Sequence, residues 1–160
     1  PVQDFGNAFS TFIAQNYGAR ETGRIRSGLK SAVCISMAFC LVVSALVFIF
    51  ARPLMTIFVE AGETEIIQAG VQYLRIEGAF YCGIGCLFLL YGLYRALGKP
   101  GMSVVLTVIP LGTRVALAYL LSAIGAIGVT GIWWSVPIGW GLADLAGLLY
   151  YKARKPESLA

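Results

Sequence analysis

The chain has no histidine, and only 12% of its 160 residues are charged, against roughly 25% in an ordinary soluble domain. Without imidazole a mixed Cys/His metal site is excluded, and acid–base catalysis loses its commonest side chain. Cysteine is scarce as well: Cys34, Cys40, Cys82 and Cys86 all fall inside apolar runs, where they read as small packing residues, so no metal site is expected. Long polar stretches are missing, and with them any surface on which the net charge of +4 could gather for nucleic acid. No nucleic-acid partner is therefore expected. The chain also shows neither an initiator Met nor a signal peptide, since Pro1 opens directly onto a segment that reads as membrane. This predicts a piece of a longer protein with at least one helix upstream.

What is present is apolar: 58% of the residues are hydrophobic. Lys30 and Arg52 bracket an uncharged run over 31–51, which at about 1.5 Å per residue crosses a hydrocarbon core of roughly 30 Å. Four further runs have comparable length, so spans are expected at 1–18, 31–51, 78–94, 102–122 and 132–151. They are too long and too uniformly apolar for barrel strands, and backbone facing lipid must satisfy its own hydrogen bonds. The predicted fold class is all-α, a polytopic transmembrane helix bundle of about five spans.

The loops set an orientation. Nine of the twelve cations fall in one set of alternate connections: Arg20, Arg24, Arg26 and Lys30, then Arg95 and Lys99, then Lys152, Arg154 and Lys155. The other set holds Arg52 and Arg75 beside Glu60, Glu63, Glu65 and Glu77. The positive-inside rule then predicts a multi-pass protein of the plasma or inner membrane with its C-terminus in the cytoplasm. Between the second and third spans, Ile66, Ile67, Val71 and Leu74 recur near helical spacing. An outer amphipathic segment is expected over 60–76, lying along the interface before it enters the third span. Pro110 and Pro137 are expected to bend their helices, and Gly78, Gly83, Gly85, Gly139, Gly141 and Gly147 to permit close helix contact or bending. Trp133 and Trp134 suit an outer aromatic belt, as Tyr150 and Tyr151 suit an inner one.

Charges inside spans are costly and merit functional attention. There are three: Asp4, Arg114 and Asp144. Measured along the helices, Asp4 lies about 21 Å from Gly18 and Arg114 about 20 Å from Gly101, so their depths match, whereas Asp144 is only about 12 Å from Lys152. Two readings follow: Arg114 is the buried charge partner of Asp4 in a structural pair, or Asp4 is free to bind a proton or cation. Asp144 is the second coupling candidate, or merely bonds a neighbouring helix. Tyr81, Phe88 and Tyr91, at spacings of seven and three, place aromatics on part of one helix face, where they line a substrate cavity by cation–π contact or simply pack; Phe80 is a weaker candidate. No convergent set of acid, base and nucleophile exists, so no enzyme activity is expected.

The segment FSTFIAQNYGARETGRIRSG (9–28) resembles the signature that MATE-family multidrug and toxin extrusion transporters carry between a lobe's second helix and the cytoplasmic loop after it. VQYLRI, YRALGKP, TRVALAYLL and GIWWSVPIGWGLADLAGLLYY resemble later family segments and occur in the family's order. The resemblance implies twelve helices in two lobes, of which this chain is a partial C-terminal lobe over 1–160, completed by an N-terminal lobe of the same protein. It implies a secondary active antiporter that exports cationic or amphipathic compounds in exchange for Na⁺ or H⁺, with the bilayer as surroundings and no further cofactor. The loop signature falls on Gln15, Asn16, Gly18 and Arg24. Gly18 is expected to take a left-handed conformation that ends the first helix, with Gln15 and Asn16 bonding the freed carbonyls. The chain departs from the family at the middle of the third span, where some members hold a cation-binding carboxylate; FYCGIGCLFLLYG offers none, and Ile84 or a neighbour stands there. The same pattern leaves open a lipid or lipid-linked-sugar flippase of a related fold, or a non-transporting membrane scaffold.

Overall fold

A computed structural model describes residues 1–60, 62–125 and 127–153. Six helices follow one another: α1 Val2–Gly18, α2 Thr22–Thr56, α3 Thr64–Ala79, α4 Tyr81–Ala96, α5 Pro100–Ser122 and α6 Val129–Ala153. No strand occurs among the described residues. Three helices, α2, α5 and α6, are each long and apolar enough to cross a membrane, and α3 with α4, bent by 48° where they join, is long and apolar enough when the pair is taken together. The remaining expected span, α1, is 17 residues long and carries Gln3, Asp4, Asn7, Gln15 and Asn16. Arg154 and Lys155, counted above among the loop cations, lie outside the described residues.

The apolar faces of α2 and α5 point outward: only 11% and 6% of their most hydrophobic stretches are buried. In water such faces would drive aggregation; in a bilayer they are the solvated surface. The helices hold together by close packing instead. The backbones of α1 and α4 meet where a Cβ added at Gly92 would stand 2.6 Å from the Gly6 carbonyl oxygen. α6 meets α5 in the same way at Gly139, whose added Cβ would stand 3.1 Å from the Pro110 carbonyl. Gly147, Gly85 and Gly78 sit equally tightly against Leu90, Cys40 and Val47, whereas Gly141 faces open space. Around these contacts Phe9, Ile13, Ile25, Ala32, Leu89, Leu93 and Leu97 form one core, and Leu87, Leu90, Tyr94, Leu106 and Ala143 a second.

The polar segment between the first two spans is less of a break than its composition predicts. Helix α2 begins at Thr22, so Gly23, Arg24, Gly28 and Lys30 are helical, and the interruption shrinks to 19–21. Gly28 lies under the Phe12 ring, which leaves no room for a side chain. The left-handed residue is Arg20, at φ 59°, and not Gly18. Two amide bonds close the turn, Arg20 N–H to the Tyr17 carbonyl at 3.1 Å and Glu21 N–H to the Asn16 carbonyl at 2.9 Å. This pairing satisfies the carbonyls without side chains. Asn16 is buried and donates to the Phe12 carbonyl inside the helix (2.8 Å), while Gln15 is exposed. The same turn closes α4 with a glycine in place: Gly98 at φ 67°, with Lys99 N–H to the Tyr94 carbonyl at 2.9 Å. Pro100 then starts α5 at a position where no amide donor is needed.

The segment expected along the outer interface forms α3, which packs lengthwise against α2. Gly70 abuts Met55, Gly78 abuts Val47, and the Arg75 guanidinium lies 5.1 Å from the Phe48 ring centre. Its helix runs to Ala79 and turns into α4 at Phe80, a bend that contains no proline. Pro110 and Pro137 sit inside α5 and α6, which continue through them. Trp133 and Trp134 pack edge-on against Tyr73 and Phe80, at 6.1 and 5.4 Å, and so lock α6 to that bend.

Candidate functional site

Four helices, α1, α4, α5 and α6, line an open-sided cavity of about 440 Å³. Both α1 and α5 pack on α4 and, among the described residues, not on each other, which leaves the space between them open. From α1 come Gln3, Gly6 and Asn7; from α4, Ile84, Phe88, Tyr91 and Arg95. α5 adds Ser103, Thr107, Leu111 and Arg114, and α6 adds Val136 and Trp140. A hydrogen bond of 2.9 Å between Tyr91 and Thr107 ties α4 to α5 across the wall. The Thr107 hydroxyl spends its one hydrogen on the Ser103 carbonyl (3.0 Å), so Tyr91 is the donor. Arg95 donates to the Asn7 side-chain oxygen at 2.6 Å and joins α4 to α1. The Phe88 and Tyr91 rings lie 6.0 Å apart on the same wall.

Phe88 and Tyr91 thus both line the cavity, and Tyr81 does not. Tyr81 stands one turn from Gly85, on the edge of α4 that faces α2, and Cys40 of α2 is its electrostatic neighbour. Phe80 is occupied by Trp134.

Asp4 and Arg114 do not meet. Asp4 is 88% exposed. Matching depth fixes height along a helix and not direction around it: α1 buries Val2, Gly6, Phe9 and Ile13, and Asp4 lies on the opposite side. Arg114 opens into the cavity. The carboxylate in its field is Glu77 of α3, one oxygen of which is buried without a hydrogen-bond partner. Sequence reasoning placed Glu77 among the outer loop acids. Its position within the same apolar–polar helical repeat as Leu74, next to the third span, was the available signal.

Asp144 lies between α6 and α4, with one carboxylate oxygen buried and unpartnered and the Cys86 thiol beside the group. Its other oxygen is 3.8 Å from where a Cβ on Gly83 would stand, an ordinary van der Waals distance. Asp144 is not part of the cavity wall. Gln15, Asn16, Gly18 and Arg24 gather at the α1–α2 turn, away from it. Among the described residues no cluster of three Cys, Asp or Glu has the arrangement of a metal site.

The MatE family model matches residues 1–120. The probable multidrug resistance protein YoeA of Bacillus subtilis is 24% identical over 153 residues, covering 95% of this chain and 33% of the relative. An FAD transporter of Shewanella oneidensis is 28% identical over 160 residues, covering 96% of this chain and 33% of the relative. The chain therefore spans about a third of the length of the curated relatives it matches. In fold it superposes on an outward-facing multidrug resistance MATE transporter of the MOP superfamily with a TM-score of 0.87 at 21% identity, over 97% of this chain and 35% of that one. The helix bundle with its open-sided cavity and the family match over three quarters of the sequence agree: this chain belongs to the MatE family of membrane transporters.

Proposed function

We propose that this chain forms most of one lobe of a secondary active exporter, which moves amphipathic small molecules out of the cell in exchange for Na⁺ or H⁺. A second lobe from the rest of the protein closes the cavity, the C-terminus lies in the cytoplasm, and the work is transport without covalent chemistry. The observation that carries this reading is the cavity itself, walled by aromatic and aliphatic groups with a few polar ones among them and bounded by helices whose outer faces suit lipid. Asp144 is the coupling carboxylate. A buried acid oxygen without a partner is expensive, and binding a proton or Na⁺ relieves that cost. Asp4, exposed on the far side of α1, has no such strain to relieve.

The test is gradient-driven movement of ethidium and of fluorescein by the complete transporter in everted vesicles, under imposed Na⁺ or H⁺ gradients. Asp144→Asn is expected to abolish gradient dependence at normal membrane abundance, and Asp4→Asn to retain it. Gradient dependence that survives Asp144→Asn would move coupling out of this lobe.

A further inference from the structure

The cavity wall carries charge of one sign. Arg95 and Arg114 line it, and none of the residues around it is an aspartate or glutamate. Of the other polar groups, the Gln3 and Asn7 amides, the Ser103 hydroxyl and the Trp140 indole can donate into the cavity, whereas the Tyr91 and Thr107 hydrogens are already spent on Thr107 and on the Ser103 carbonyl. The Ser103 oxygen is buried and has no partner. Glu77 lies in the field of Arg114 from the α3 side, but among the described residues no ion pair within 4 Å joins them. The Arg114 guanidinium therefore keeps its donors for something that enters the cavity.

We infer that this lobe takes an amphipathic organic anion, with its carboxylate, sulfonate or phosphate held by Arg114 and its apolar body against Phe88, Tyr91 and Trp140. The inference rests on the exporter reading above and names the class of cargo. A planar guanidinium recognises such oxyanions through two parallel donors, and charge-assisted bonds are the stronger kind where water is excluded. The geometry sets a scale. The Tyr91–Thr107 bond brings α4 and α5 into register. From it Arg114 lies seven residues along α5 and Arg95 four residues along α4, in opposite directions, so their backbones are about 16 Å apart along the bundle. Arg95 is already bound to Asn7 and serves as the second, weaker cationic end. A dissolved anion and a lipid headgroup share this chemistry.

The experiment uses the complete transporter in phosphatidylcholine proteoliposomes, with fluorescein as dissolved anion, a fluorescent short-chain phosphatidylglycerol as lipid anion, and ethidium as cation. Binding of each probe to the detergent-purified protein is measured alongside. The expected result is movement of one of the anions, with at least a tenfold loss of binding and of initial rate in Arg114→Gln and partial recovery in Arg114→Lys. Fluorescein would mark the cargo as a dissolved anion, and the labelled lipid as a headgroup. Movement of ethidium while both anions stay put would overturn the assignment and leave the exporter reading intact. Anion binding equal in wild type and Arg114→Gln would overturn it too. Arg114-dependent anion binding without movement of any probe under any gradient would uphold the site and defeat the exporter reading instead.

Discussion

Replacing Gly92 with Ala tests the packing of α1 on α4, which sets one wall of the cavity. The added methyl would stand 2.6 Å from the Gly6 carbonyl oxygen and 3.3 Å from Phe9 Cδ1. Ordinary carbon–oxygen contact needs roughly 3.4 Å, so the helices must part by nearly 1 Å. The obstacle is backbone on the facing helix and cannot rotate away. Overpacking of this kind costs about 1–3 kcal/mol, a factor of about 5 to 160 in the unfolding equilibrium. Helix propensity opposes it, since Ala is about 1 kcal/mol better than Gly in an exposed helix. Gly141→Ala isolates that opposing effect, because nothing lies within 4 Å of its added Cβ. Equilibrium unfolding of the complete transporter in detergent, by thermal shift or denaturant, should show Gly92→Ala less stable than wild type and Gly141→Ala equal or more stable. Equal stability of the two variants would refute the close approach of α1 and α4.

Further outcomes follow from single contacts. Arg20→Gly should stabilise by about 1 kcal/mol in the same unfolding assay, because Arg20 holds a left-handed φ of 59° that glycine adopts freely. Tyr94→Phe should destabilise by about 0.5–1.5 kcal/mol, since its buried hydroxyl donates to the Gly147 carbonyl at 2.5 Å and ties α4 to α6. Ile13→Ala, fully buried in the first core, should cost about 2–3 kcal/mol, with lipid rather than water as the alternative surroundings holding it to the low end of the core range.

The helices were legible in the sequence because apolar length alone demands them, but their ends were not: Lys30 and Arg52, which bracket the apolar run, both lie inside α2. The turns were legible only in part. LGKP has a glycine at its left-handed position, but at NYGAR the left-handed residue is an arginine two places beyond the glycine, where no composition rule would put it. What the sequence conveyed least was direction around each helix. Asp4 and Arg114 match in depth and face apart; Tyr81 shares a seven-residue spacing with Phe88 and still faces α2, because α4 begins there, immediately after the 48° bend. That bend, made by Phe80 without proline, also carries Glu77 inward from what composition reads as a loop. Long-range packing decides these matters, through contacts such as Gly6 with Gly92 and Trp134 with Phe80, and a single sequence does not show which helix lies beside which.

On the exporter reading proposed above, the space between α1, α4, α5 and α6 is the transport pathway. Thr107, exposed on the cavity wall, reports on it directly. With the four native cysteines replaced by alanine, Thr107→Cys in the complete transporter should react with a membrane-impermeant maleimide, and transported dye should slow that reaction. Failure to react from either side of the membrane, or a rate indifferent to dye that is being transported, would contradict the account.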